Sequence, residues 1–250
     1  MASGPSVRLF VDQPLQEGGV VTLEKDQSSY LLSVMRLNEG DKISLFNGDD
    51  GEWAGEIVKR SKKLADLQLI EQVRPQTPPQ KLHYIFAPLK RARLDYMVQK
   101  AVELGVSRLT PVITHHTNVD RVNLDRMKAN AIEAAEQCGI LSLPQIDSPV
   151  KLSVFVDKWL ANESEDKQLV FCDESLTAGG PIVDLGTLQG DEIAVLIGPE
   201  GGFSQDERDL LVSQRFVKAI SLGPRIMRAD TAAVAALALV NAVKGDWQNS

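Results

Sequence analysis

Two stretches near the C-terminal end of the chain restrict its fold more than anything else in it. One is Ala194-Val195-Leu196-Ile197-Gly198-Pro199-Glu200-Gly201-Gly202-Phe203-Ser204; the other runs from Ile220 through Gly223-Pro224 to Ala232. Each is an apolar run that ends in Gly-Pro, turns, and enters a helical pattern. Ile193 to Ile197 is short, branched and uncharged, which predicts a strand buried in a parallel sheet. Ser204 followed by Glu207 predicts a capped helix start. Val217 to Leu222 repeats the strand pattern, and the Ala-rich run Thr231 to Val243 predicts a helix. Glycine at a strand end lets a ligand approach the backbone closely, because no Cβ intervenes. Two such loops at neighbouring strand ends predict a ligand site where open α/β sheets bind ligands.

Upstream the chain divides. Residues 7 to 73 read as a small β-rich unit. Strands are expected at Val20 to Leu23, Ile43 to Phe46, Trp53 to Val58 and Leu64 to Ile70, with a short helix at Asp26 to Leu37. Turns are expected at Asn38 to Asp41 and at Asn47 to Gly51, the latter of hairpin type. Several short strands close together suggest a small barrel. Pro75-Gln76-Thr77-Pro78-Pro79-Gln80 favours extended backbone and reads as the linker. The expected domains are therefore 1–75 and 76–250.

After the linker, strands and helices alternate: Leu82 to Ala87, Leu94 to Leu104, Leu109 to Ile113, Asn123 to Gln137, Leu152 to Leu160 and Leu169 to Cys172. This is the pattern of an α/β domain with a mostly parallel sheet. Periodicity alone predicts an ordinary doubly wound sheet, since knots are rare.

Composition narrows the function. With 43% apolar and 24% charged residues the chain reads as a soluble globular protein. No apolar run approaches a membrane span, the start lacks a signal-peptide pattern, and a cytoplasmic location is expected. Two cysteines, Cys138 and Cys172, and three histidines give no metal-ligand spacing, so no metal is expected. Net charge is −7, with 9 basic and 12 acidic residues before Pro75 and 18 and 22 after it. Neither part is basic, so any RNA contact must come from local patches such as Lys59-Arg60-Ser61-Lys62-Lys63 and Lys90-Arg91-Ala92-Arg93.

The paired motifs carry a resemblance. Gly198-Pro199-Glu200-Gly201-Gly202-Phe203-Ser204 with Glu207, followed by Leu222-Gly223-Pro224-Arg225-Ile226-Met227-Arg228-Ala229-Asp230-Thr231-Ala232, resembles the signature of the SPOUT methyltransferases, of the RsmE type. Gln99 to Val106 and Glu133 to Gly139 resemble further motifs of that family, and residues 7 to 73 are similar to its PUA-like RNA-binding domain. The sequence departs from the family at Tyr30, where the family has His; at Ile140, where it has a basic residue; and at Asp230, where Glu is commoner.

The resemblance implies a C-terminal trefoil knot holding S-adenosylmethionine, a homodimer, and methylation of N3 of a uridine in 16S ribosomal RNA of the small subunit. Leu196, Ile197, Gly198, Gly201, Leu222, Gly223, Ile226 and Met227 are the implied cofactor-binding residues. Arg8, Arg36, Lys90, Arg91 and Arg93 are the implied RNA contacts. Uracil N3 carries a proton, so the reaction needs an acceptor for it and donors for charge on O2 and O4. Arg228 suits the second role, Glu200 and Asp230 the first, with solvent as a further acceptor. The small residues of the last helix permit close packing of a second copy. Competing readings are methylation of another RNA nucleotide, a non-catalytic RNA-binding protein built on the barrel, and a nucleotide- or phosphate-binding enzyme. The last is disfavoured by the missing Gly-Lys-Ser/Thr and G-x-G-x-x-G spacings.

Overall fold

A computed structural model describes residues 7–59, 61, 63–119, 121–161, 166–176 and 180–248. Arg60 and Lys62, part of the first basic patch, lie outside these residues. The chain forms two compact units. One takes the chain up to Pro78 together with Ala135–Leu143; the other takes Pro79–Ala134 and Pro144 onward.

The first unit contains β1 (Arg8–Phe10), β2 (Val20–Thr22), helix α1 (Lys25–Ser29), a π-helical turn (Tyr30–Val34), β3 (Lys42–Phe46), β4 (Glu52–Lys59) and β5 (Ala65–Arg74). The sheet order is β1-β3-β4-β5-β2. β1 pairs with β3 in parallel and the other pairs are antiparallel. Leu9, Val21, Leu45, Ile57 and Leu67, one from each strand, enter a single apolar core, so the sheet must curve around it. The expected helix over 26–37 is shorter than its pattern. It passes into the π turn, and Arg36 then adopts φ 57° while the Leu37 N–H donates to the Leu31 carbonyl at 3.0 Å. A residue in the left-handed conformation is a common way to end a helix, here after a π turn and closed by a bond one residue longer than usual.

Charge holds the unit together. Arg8 donates through Nε to Glu52 at 2.8 Å, and through its Nη atoms to the carbonyls of Ala135, Glu136 and Ile140. Its guanidinium also lies 4.5 Å from the centre of the Phe46 ring. Arg74 reaches the other oxygen of Glu52 and the carbonyl of Gly139 at 2.8 Å. These bonds are why residues 135–143 join the first unit and not the α/β unit to which the expected split at Pro75 assigns them. They also correct the reading of Arg8 as an RNA contact. Its side chain is only 12% exposed and its donors are engaged inside the protein.

The second unit contains β6 (Leu82–Phe86), α2 (Arg91–Glu103), β7 (Arg108–Ile113), α3 (Leu124–Cys138, whose last turn groups with the first unit), β8 (Gln145–Ile146), β9 (Val150–Lys151), α4 (Leu152–Ala161), β10 (Lys167–Cys172), α5 (Pro181–Gly186), β11 (Glu192–Ile197), α6 (Gln205–Val212), β12 (Val217–Ile220), α7 (Ala229–Lys244) and a short 3-10 turn (Asp246–Gln248). The strand order is β12-β10-β11-β6-β7-β8, with β9 paired to β7, and every pair is parallel. β11 is flanked on both edges, and Ile193–Ile197 is buried throughout. Alternation sorts its neighbours. Ile85, Phe171 and Leu196 pack with Phe155, Val156 and Trp159 of α4 and Leu211 of α6. On β6, Tyr84 stacks on Phe86 at 5.0 Å and its hydroxyl donates to Met97 Sδ of α2.

After β12, at the sheet edge, the chain returns so that α7 packs on α2, α5 and β11. Ala233, Ala236, Leu237 and Val240 are buried there, and buried Asn241 donates to the Leu104 carbonyl that ends α2, at 2.8 Å. No helix among the described residues is long and apolar enough to cross a membrane.

The Glu52 network generates a pH dependence. Burial alone would raise this carboxyl, but the hydrogen bonds and charges of Arg8 and Arg74 outweigh that and hold it below the ordinary 4.5. The stabilisation is therefore fully present above pH 4.5 and lost as pH falls through the lowered folded value. Glu52→Gln is expected to cost about 3 kcal/mol at pH 7, because it leaves two arginines facing a neutral group. Urea unfolding across pH 3 to 7, on the scale of that carboxylate titration, should show a flatter acid limb in the variant.

Candidate active site

The carboxyl ends of β10, β11 and β12 open into one cavity of about 410 Å³. Residues 172–176 at the end of β10, most of 197–203 at the end of β11, and 221–227 after β12 line it, with Ala229 and Ala232 of α7 and Arg208 of α6 completing the wall.

The loop after β11 is held by packing. Phe203 meets Phe171 edge to face at 5.1 Å. A Cβ on Gly198 would lie 2.5 Å from the Phe203 ring, so only glycine lets that ring sit down. Gly202 adopts φ 69° and its N–H closes the turn onto the Pro199 carbonyl at 2.9 Å. Ser204 then caps α6 in the expected capping box: its Oγ accepts from the Glu207 N–H at 3.3 Å and its own N–H donates to Glu207 Oε2 at 2.9 Å. The other Glu207 oxygen accepts the His115 N–H at 2.7 Å, and His116 Nδ1 lies 3.1 Å from the Gly202 carbonyl. The His115-His116 loop thus braces the glycine loop.

The loop after β12 is more open. The Gly223 N–H donates to Ser221 Oγ at 3.3 Å, and Gly223 has φ 106° with nothing within 4 Å of a Cβ placed there. Ile226 is 93% exposed, an unusual position for an isoleucine, and it lies at the cavity mouth with Arg225. Arg228 is the N-cap of α7, with exposed side chain and no ion pair among the described residues. Asp230 lies in the first turn of α7, where its Oδ1 accepts the Thr231 N–H at 3.0 Å.

Of the expected cofactor-binding residues, Ile197, Gly198, Leu222, Gly223, Ile226 and Met227 line the cavity. Leu196 and Gly201 do not. Leu196 points into the α4 face of the sheet, as alternation along β11 requires, and Gly201 faces His116, 3.2 Å from a Cβ built there. Glu200 lines the cavity and forms an ion pair with Arg93 of α2. Arg93, expected as an RNA contact, thus has its guanidinium bound to a residue of the cavity wall. Lys90 and Arg91 are exposed at the start of α2, and Arg36 is exposed in the first unit. Arg228 and Asp230 stand next to the cavity-lining segments but are not part of the wall.

Sequence reasoning missed the segment after β10. Asp173 is 4% exposed; its Oδ2 accepts from Arg208 Nε at 2.8 Å and its Oδ1 from the Ser175 N–H at 2.9 Å. Glu174 and Ser175 complete this wall. The signal was the polar triplet Asp173-Glu174-Ser175 directly after a buried strand, a placement that marks ligand sites in parallel sheets. Cys172 lies beneath, and burial pushes its thiol up to about 12, so it serves as an apolar wall and not as a nucleophile. No group of three or more potential metal ligands occurs among the described residues.

The lining combines an apolar side, from Ile197, Phe203, Leu222 and Met227, with polar backbone and charged groups on the opposite segments. Its volume falls within the range that holds cofactor-sized ligands. Gly198→Ala is expected to cost about 1 to 3 kcal/mol, because the methyl must displace the Phe203 ring from a packed core. Gly223→Ala adds no clash, and its cost comes from backbone conformation alone. Thermal melting of the two variants, read with Phe203→Leu in the Gly198→Ala background, checks this: the smaller side chain should recover part of the loss.

Comparison with known proteins agrees with this architecture. The RNA methyltransferase domain family matches residues 76–241, and the RNA methyltransferase PUA domain matches residues 23–70. The ribosomal RNA small subunit methyltransferase E of Rickettsia conorii is 31% identical over 235 residues, covering 93% of this chain and 94% of that one. The Bacillus subtilis protein of the same name is 27% identical over 249 residues, covering 94% and 95%. Among solved structures, ribosomal RNA small subunit methyltransferase E from Neisseria gonorrhoeae, bound to S-adenosylmethionine, superposes with a TM-score of 0.81 at 26% identity, covering 94% of this chain and 96% of that one. A methyltransferase of Legionella pneumophila in complex with S-adenosylmethionine gives 0.79 at 29% identity, covering 94% and 97%. By sequence and by fold, the chain belongs to the RNA methyltransferase family, with that family's PUA domain in its amino-terminal part.

Proposed function

We propose that the protein transfers a methyl group from S-adenosylmethionine to N3 of a uridine in the 16S RNA of the small ribosomal subunit, in the cytoplasm. The observation that carries this reading is the cavity between the two Gly-Pro loops, in a chain whose relatives are named ribosomal RNA small subunit methyltransferases. The cavity fits the cofactor chemically. Its apolar side suits an adenine, the open space at Gly223 lets the adenine edge approach the backbone, and the carboxylates of Glu174 and Glu200 suit a neighbouring cation. The cofactor supplies an electrophilic methyl group on a sulfonium.

The chain's own residues must do the rest: bind, orient, exclude water and handle the N3 proton. Arg228 is the donor to the uracil carbonyls in this reading. It is exposed beside the loop of the cavity, and its guanidinium makes no ion pair among the described residues. Asp230 and Glu200 are the acceptors for the proton. Glu200 is already paired with Arg93, which leaves Asp230 as the acceptor without a cationic partner among the described residues. A homodimer completes the reading. The Ala-rich face of α7 is buried within this chain, so a partner copy would meet other surface, such as exposed Ile182, Val183 and Ile226.

Incubation with labelled S-adenosylmethionine and small ribosomal subunits, followed by nucleoside analysis, tests the reaction; label in any product other than N3-methyluridine overturns it. Arg228→Ala is expected to leave cofactor affinity intact and to slow single-turnover methyl transfer by ~10²-fold, the loss typical of one donor to developing negative charge. Arg228→Lys recovers little, because the planar fork is lost. A variant with parental single-turnover rate would remove Arg228 from the reaction.

A further inference from the structure

A second cavity, of about 340 Å³, lies between the start of α2 and the segment that leads into α3. Its floor is apolar: Leu89, Leu94 and Met127 are 5%, 8% and 1% exposed. Its rim is cationic, with Lys90, Arg91, Arg121 and Arg126. The only acid among the described lining residues is Asp95, and it is already neutralised. Arg126 holds it through two hydrogen bonds of 2.7 and 2.6 Å, and Asn130 adds a third at 2.8 Å. Lys90, Arg91 and Arg121 form no ion pair among the described residues, and all three are exposed. Among the described residues, three exposed cations without an ion pair thus surround one cavity, in a chain of net charge −7.

The position of this cavity links it to the site already described. Lys90 and Arg91 begin the same helical turn as Arg93, which pairs with Glu200 on the wall of the first cavity. The 114–119 segment does the same from the other side. His116 contacts the Gly202 carbonyl, and Asn118 and Val119 line the second cavity. The two cavities are thus linked through Arg93 and through the 114–119 segment.

We propose that this cavity is a phosphate-binding site for the RNA substrate: Lys90, Arg91 and Arg121 take a backbone phosphodiester next to the target nucleotide, and the apolar floor receives the flanking base. The proposal rests on the RNA methyltransferase reading above. It extends the RNA contacts from the start of α2 to Arg121 and assigns them to one discrete site. Guanidinium groups match phosphate oxygens in pairs, and apolar surface beside them suits a base face.

The test is equilibrium binding of small-subunit ribosomal RNA to the full chain across a KCl series. Parent, Arg91→Ala, Arg121→Ala and the double variant are compared with Lys128→Ala, which removes an exposed cation of α3 outside the cavity. Melting temperature and S-adenosylmethionine binding are measured alongside to report an intact fold. Each cavity variant is expected to weaken RNA binding. The slope of log affinity against log salt should fall by roughly 0.7 for each phosphate that the variant no longer neutralises, the value for single strands. Lys128→Ala stays at the parental slope. If the parent binds and methylates RNA while the cavity variants behave like Lys128→Ala, the phosphate site falls and the methyltransferase reading stands. If the parent neither binds nor methylates RNA, both fall. If inorganic phosphate saturates the cavity in the parent and leaves RNA affinity unchanged, the site belongs to free phosphate and the proposal is overturned.

Discussion

The contact between Gly198 and the ring of Phe203 is the constraint on which the rest of the catalytic unit depends. β11 is buried on both faces and paired on both edges, so its chain can leave the sheet only at the carboxyl end. Phe203 then folds back over Gly198 onto Phe171, and the few residues between strand and helix have no room for a wider path. That fixes where Ser204 begins α6, and hence where Arg208, one turn on, can reach Asp173. It also turns Glu200 outward toward Arg93. The Phe203 ring thus bears on the positions of two charged groups around the cavity, Arg208 and Glu200.

Charge is distributed by the same economy of partners. In a chain of net charge −7, several arginines are structural. Arg8 and Arg74 share the two oxygens of buried Glu52 and satisfy the carbonyls at the end of α3, groups that a helix cannot bond internally. Arg126 holds Asp95, Arg108 holds Asp147 and Arg208 holds Asp173. What remains unpaired is informative for that reason. Lys90, Arg91 and Arg121 are among the described cations without an ion pair, and all three line one cavity, while Arg228, likewise unpaired, stands next to the segments that line the other.

Local signals were legible in the sequence and distant ones were not. The strands at 43–46, 82–86, 109–113 and 193–197 were readable because short branched runs between turn residues have few alternatives. The capping box of Ser204 and Glu207 was readable because both partners lie within one turn. β1 was not read: it is only three residues long and its one partner, β3, lies far along the chain, with Arg8 set opposite Ser44. The internal role of Arg8 left no local sign, because its partners are 44 and 127 residues away. The glycines at 198, 201 and 202 look alike in sequence, yet they face Phe203, His116 and Glu174 respectively. Which glycine opens toward a ligand depends on those neighbours, and a single sequence does not state them. The wall at Asp173 was missed for the same reason, since its partner Arg208 lies 35 residues on.

The ion pair between Arg93 and Glu200 decides how the two cavities relate. Both groups are more than 40% exposed, so solvent screens the pair and its worth to folding is small. Its consequence is geometric: it holds the first turn of α2 against the glycine loop and keeps a carboxylate at the cavity wall. The carboxylate it holds is engaged with Arg93, whereas Asp230, in the first turn of α7, has no cationic partner among the described residues.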